Sequence, residues 1–141
     1  MFLLGPLNRV ECSAAAAAKK YQPLTIEQAI EIAQGAFFEV VASPVAPIRH
    51  SNGKWNVTPP ATHVVILDGK GGADAASIQP DSLELTPSEW GNAAGGKFSS
   101  VGVRARFSLS KLPPGEFTVV IVTSDGEFRF GIGKKDRPLV Q

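Results

Sequence analysis

The stretch LPPGEFTVVIVTSDGEFRFGIG, residues 112–133, decides the fold. Pro113-Pro114-Gly115 makes a corner, and an apolar run follows it. Asp125-Gly126 is a two-residue turn signal. A turn there pairs Thr123 with Phe128, Ile121 with Phe130 and Val119 with Ile132. Successive strand residues point to opposite faces. Phe128, Phe130 and Ile132 therefore share a face with Thr123, Ile121 and Val119, while Val120, Val122, Arg129 and Gly131 take the other. Each large apolar side chain fully buried is worth about 1.5–3 kcal/mol. The first face is thus the expected centre of the core. The second is half apolar and calls for partial cover by an N-terminal helix, an arm or another chain. Val120, Val122 and Arg129 are accordingly candidate interaction residues.

Upstream, VGVRARFSL (101–109) alternates. Val101, Val103, Ala105, Phe107 and Leu109 face inward, with Gly102, Arg104, Arg106 and Ser108 outward. Arg104 and Arg106 join the candidate interaction residues. THVVILDG (62–69) reads as a strand running into a Gly-rich turn at 69–72, and Leu83 and Leu85 alternate with polar residues in IQPDSLELT. SEWGNAAGGKFSS (88–100) reads as a loop, with Trp90 covering a core edge or serving as a binding anchor. Asn52-Gly53 predicts a type I′ hairpin over 47–58, with Ile48, His50, Trp55 and Val57 on one face. Residues 25–34 predict a helix: Thr25 and Gln28 spell a capping box, and Ile26, Ala29, Ile30 and Ala33 form the apolar stripe. After Gly35, AFFEVV is expected as a strand. The alanines at 14–18 favour helix, but too short a one to stand alone.

Short strands divided by turn signals, with no helix between them, indicate a β-sandwich over 60–135. The layout VVILDGKGG … GVRARFSLSKLPPGEFTVVIVTSDGEFRFGI resembles an IPT/TIG-type immunoglobulin-like domain. The matching features are an early strand ending at a Gly turn, a Pro-Gly corner before the penultimate strand and an Asp-Gly hairpin into the last. The aromatic often found after the first Gly turn is replaced by Gly72-Ala73. The resemblance implies a scaffold or contact module without catalytic residues. The expected fold is mainly β: an immunoglobulin-like antiparallel β-sandwich with an N-terminal helix-containing extension. Its expected organisation is an arm (1–22), a helix plus β-hairpin extension (23–59), the sandwich (60–135) and a tail (136–141).

The chain of 141 residues carries a formal net charge of +1, which gives no electrostatic argument for nucleic acid or an anionic membrane. No apolar run approaches the roughly 18 residues of a membrane span. Cys12 is the one cysteine, so no intrachain disulfide forms. MFLLGPL followed by SAAAAAKK imitates a signal peptide poorly, and an arm packing on the body or on a partner is the expectation. GNAAGGK (91–97) has phosphate-loop spacing, but Phe98 stands where Ser or Thr would bind magnesium, and a strand follows instead of a helix. His50 and His63 lack ligand-spaced neighbours, so no metal and no cofactor is expected.

The expectation is a non-enzymatic structural or binding module acting through protein–protein contacts or self-assembly, with extracellular or cell-surface localisation favoured. A virion or appendage component is the first alternative, and a carbohydrate-binding accessory domain the second.

Overall fold

The computed structural model describes residues 2–91 and 95–136. Strand makes up 45% of the chain and helix 19%, so the fold is mainly β. Two four-stranded antiparallel sheets share one core. The first runs β1 (Phe2–Leu4), β2 (Phe37–Ala42), β8 (Lys97–Ser108), β7 (Ser82–Gly91). The second runs β10 (Gly126–Ile132), β9 (Phe117–Thr123), β5 (Ala61–Asp68), β6 (Ser77–Ile78). A short hairpin, β3 (Ile48–Arg49) and β4 (Trp55–Asn56), stands apart from both sheets. The helices α1 (Pro6–Lys19) and α2 (Ile26–Gln34) lie between β1 and β2 in sequence.

The core takes alternate residues from both sheets. Phe38 and Val40 of β2 and Val103, Ala105 and Phe107 of β8 meet Val64 and Ile66 of β5 and Phe117, Val119 and Ile121 of β9. Phe38 packs edge-on against Phe117 across the gap, with ring centroids 6.2 Å apart. β2 belongs to the segment expected as an extension, yet it lies inside the first sheet, bonded to β1 and β8. On β5 the register shifts between Ala61 and His63, which leaves Thr62 as an extra residue. This bulge is why the inward set passes from odd-numbered Ala61 to even-numbered Val64 and Ile66.

Both hairpins differ from the expected register. In the β9–β10 hairpin Thr123 pairs with Gly126 and Phe128 with Ile121, so the register lies two residues from the one anticipated. A shift of two preserves the faces, and Phe128 and Phe130 still lie with Ile121 and Val119. Positive φ falls on Gly126 alone, at 143°, whereas a type I′ turn needs it at both central residues. The β3–β4 hairpin places Ile48 opposite Asn56 and Arg49 opposite Trp55. That offset is odd, so the anticipated apolar face of Ile48, His50, Trp55 and Val57 does not form. Here Gly53 takes φ 80° and Lys54 N–H donates to Asn52 Oδ1 at 3.0 Å.

The expected loop at 88–100 is largely strand: β7 continues to Gly91 and β8 begins at Lys97. The middle of the phosphate-loop-like segment, 92–94, lies outside the described residues.

α2 forms as expected. Thr25 Oγ1 accepts from Gln28 N–H at 3.3 Å and Gln28 Oε1 accepts from Thr25 N–H at 3.0 Å. Its apolar stripe is not buried, however; Ile26 is 75% exposed. α1 is longer than its alanines suggested. It ends in a reciprocal C-cap in which Tyr21 N–H donates to Ala18 O and Gln22 N–H to Ala17 O, both at 3.0 Å. Tyr21 takes φ 56° at the position where glycine is usual.

Candidate functional site

A cleft of about 540 Å³ opens between the helices and the outer face of the first sheet. Strand alternation places Phe37 and Glu39 of β2 beside Arg104 and Arg106 of β8 on that face. Arg106 Nε donates to Glu39 Oε1 at 2.6 Å, and the Glu39 side chain is almost wholly buried. The Phe37 ring has two cations against it: Arg9 at 3.7 Å and Arg106 at 4.9 Å from its centroid. Arg9 is only 6% exposed. Its Nη2 donates to Gly35 O at 2.5 Å, and its Nε has no partner. Burial lowers the pKa of this guanidinium; Glu39 opposes that shift and Arg106 adds to it. The group fastens α1 to the sheet by a cation–π contact and a backbone hydrogen bond. Arg104 lies one pair further along β8, opposite Val41 and Glu84, and is exposed. Cys12 lines the same cleft.

The residues singled out from sequence fall in three separate places. Arg104 and Arg106 lie on this outer face. Val120, Val122 and Arg129 lie on the outer face of the second sheet. Val120 is 2% exposed. The cover is local: Arg129, its cross-strand partner, donates from Nη1 to Gly71 O at 2.9 Å and holds the 69–76 connection there. Arg129 also donates to Glu127 Oε2, from Nε at 3.1 Å and Nη2 at 2.9 Å. Val122 is half-buried. Trp90 is a strand residue of β7, directly opposite Phe98. Trp55 packs on Phe98 with centroids 4.8 Å apart, which lays the β3–β4 hairpin against the end of the β7–β8 ribbon.

A fourth surface was not anticipated. On edge strand β10, Phe128 is 49% exposed. It borders a recess of about 150 Å³ with Phe130, Ile121, Val101, Pro44 and Pro59. Arg9, Phe37 and Glu39 were also missed. The available signal was the lone acid in AFFEVV, a strand that needed a cationic neighbour.

Two further polar groups, His63 and Asp81, have structural assignments. His63 Nε2 hydrogen-bonds Gln79 Oε1 at 2.7 Å. Asp81 accepts from Ser108 N–H at 2.6 Å, from Ser108 Oγ at 2.7 Å and from Lys111 Nζ. Those bonds pull its pKa down to about 2, with the Lys111 contact the largest contributor. Among the described residues no group of three or more His, Cys, Asp or Glu is placed to hold a metal, and no helix is long and apolar enough to cross a membrane. No family model matches the chain, and neither does a curated protein sequence or a solved structure.

Proposed function

We propose that the protein is a non-enzymatic, immunoglobulin-like module that works by contact with other protein in a cell-surface, secreted or assembled structure. The strand order supports the architectural half of this reading. Lettered along the chain, with β3 and β4 set aside as an insertion and β6 as C′, the sheets run A-B-E-D and G-F-C-C′. Under that lettering the order agrees with an immunoglobulin arrangement carrying an added C′ strand, which supports the reading. The IPT/TIG-type motifs of residues 64–132 belong to the same reading.

One observation carries the functional half. Tyr21 is 95% exposed while held at φ 56°, a conformation that costs a non-glycine residue about 1–2 kcal/mol. A large aromatic kept at a strained and solvent-facing position gains nothing from folding, and such outliers concentrate at functional surfaces. Ile26 and Ile30 are exposed nearby in sequence, on the unburied side of α2. The groups with displaced pKa values support a non-catalytic role, because each is explained by structure. Arg9 fastens α1, Glu27 sits in the α2 cap and Asp81 ties a strand end.

The test is chemical cross-linking with native mass measurement on the full chain, in extract and purified, compared with Tyr21→Ala and Ile26→Glu. The expected result is cross-linked protein species that the two substitutions deplete. A strictly monomeric protein that acquires no protein cross-links overturns the proposal.

A further inference from the structure

We propose that β10 is a self-pairing edge: two copies join antiparallel along this strand, about a two-fold axis at Phe128, into one continuous sheet. This rests on the contact-module reading and names a partner for it, a second copy of the chain.

Among the described residues β10 pairs with β9 alone, so no other described strand takes up its second edge. Sheet edges are commonly blunted by proline, by inward-pointing charge or by a lysine row. β10 reads Gly126-Glu127-Phe128-Arg129-Phe130-Gly131-Ile132 and has none of these. Its inward positions include Phe128, Phe130 and the buried Ile132, and Phe128 remains about half exposed.

The charge order selects both occupant and register. In antiparallel pairing about Phe128, residues whose numbers sum to 256 face each other. Glu127 then opposes Arg129 of the copy, and Arg129 opposes its Glu127, so two opposite-charge pairs form at once. On the inner face Phe128 meets Phe128, and each Phe130 meets Gly126. No atom lies within 4 Å of where a Gly126 side chain would begin, so that site has room for the ring. The neighbouring registers fail. Centring on Arg129 sets arginine against arginine, and centring on Glu127 sets glutamate against glutamate. A two-fold contact needs a self-complementary patch, and this strand supplies one in a single register. Arg129 retains its Nη1 bond to Gly71 O while its other edge, already on its own Glu127, bridges to the second.

Native mass and sedimentation on the full chain over a wide concentration range test this. Wild type is expected to form a dimer. Glu127→Arg and Arg129→Glu each place like charges in opposition and weaken the dimer by about tenfold or more. The double exchange Glu127→Arg with Arg129→Glu restores it, because the pattern is self-complementary in either polarity. In a Cys12→Ser background, Phe128→Cys oxidises to a covalent dimer, whereas a cysteine at the outer-face position, Val122→Cys, does not. A wild type that stays monomeric, or a dimer indifferent to both single reversals, overturns the inference. Protein cross-links that depend on Tyr21 but not on β10 leave the module reading standing while this inference falls. Absence of any protein contact removes both.

Discussion

Glu39 and Arg106 face each other across β2 and β8, with 2.6 Å between Oε1 and Nε, and the Glu39 side chain lies almost wholly buried where the cleft beneath the helices meets the sheet. The acid lies on the outer side of a sheet whose inner side is wholly apolar at this level, between Phe38 and Val40. Helix α1 therefore does not rest on a greasy surface. It is docked over a charged pair and an aromatic ring, through Arg9.

Removing one partner leaves the other exposed to the cost of its burial. Arg106→Ala should destabilise the protein by about 1–3 kcal/mol, because it strips a charged hydrogen-bond partner from a buried carboxylate. Arg106 itself is half exposed, which keeps the figure below that of a fully buried pair. Urea unfolding measures it, and the double variant with Glu39→Gln should recover part of the loss.

Gly35 offers a second handle on the same dock. A Cβ there would sit 2.5 Å from Phe37 Cε1 and 2.6 Å from Arg9 Nη1. Gly35→Ala should push the guanidinium off the ring. Hydrogen exchange is expected to speed up across α1 while the β9 amides keep their protection.

Acid should loosen the junction between β7 and the end of β8. Asp81 has its pKa lowered from 3.8 to about 2 in the folded chain, first by Lys111 and then by the two Ser108 donors. A depressed carboxylate stabilises above its unfolded pKa, and that contribution is lost as pH falls through the folded value. The loss should therefore develop below about pH 4 and continue through pH 2, reaching completion only about a unit below the folded value. Asp81→Asn removes this component, so its acid unfolding curve should be flatter in that window than the wild type's.

Tyr21 gives a prediction of the opposite sign. Tyr21→Gly relieves the left-handed conformation and forfeits no packing, so it should raise stability by about 1 kcal/mol. Thermal unfolding reads the gain. The same substitution should deplete the protein cross-links that the proposed function requires.

Replacing Phe38, which sits between Phe107 and Phe117 with no solvent exposure, tests the shared core. Phe38→Ala should cost about 3–5 kcal/mol. A loss of that size places β2 within the cooperative unit and not in an appendage, and denaturant titration decides it.

The sequence by itself determined which faces are apolar. Strand side chains alternate with a period of two, so VGVRARF and FTVVIVTSDGEFRF declare their inward residues locally. A register error of two at Ser124-Asp125 left that assignment intact. The α2 cap was equally legible, because Thr25 and Gln28 complete it within four residues. Tertiary structure alone decided what lies over each face. The strand AFFEVV entered the core because β8 had a free edge for it, and Glu39 was tolerated because Arg106 and Arg9 converge on it from segments far apart in sequence. Val120 found its cover in a glycine turn clamped by Arg129, which no local pattern encodes. The partners of a face come from distant parts of the chain, and the one-dimensional pattern carries a residue's facing but not its neighbour.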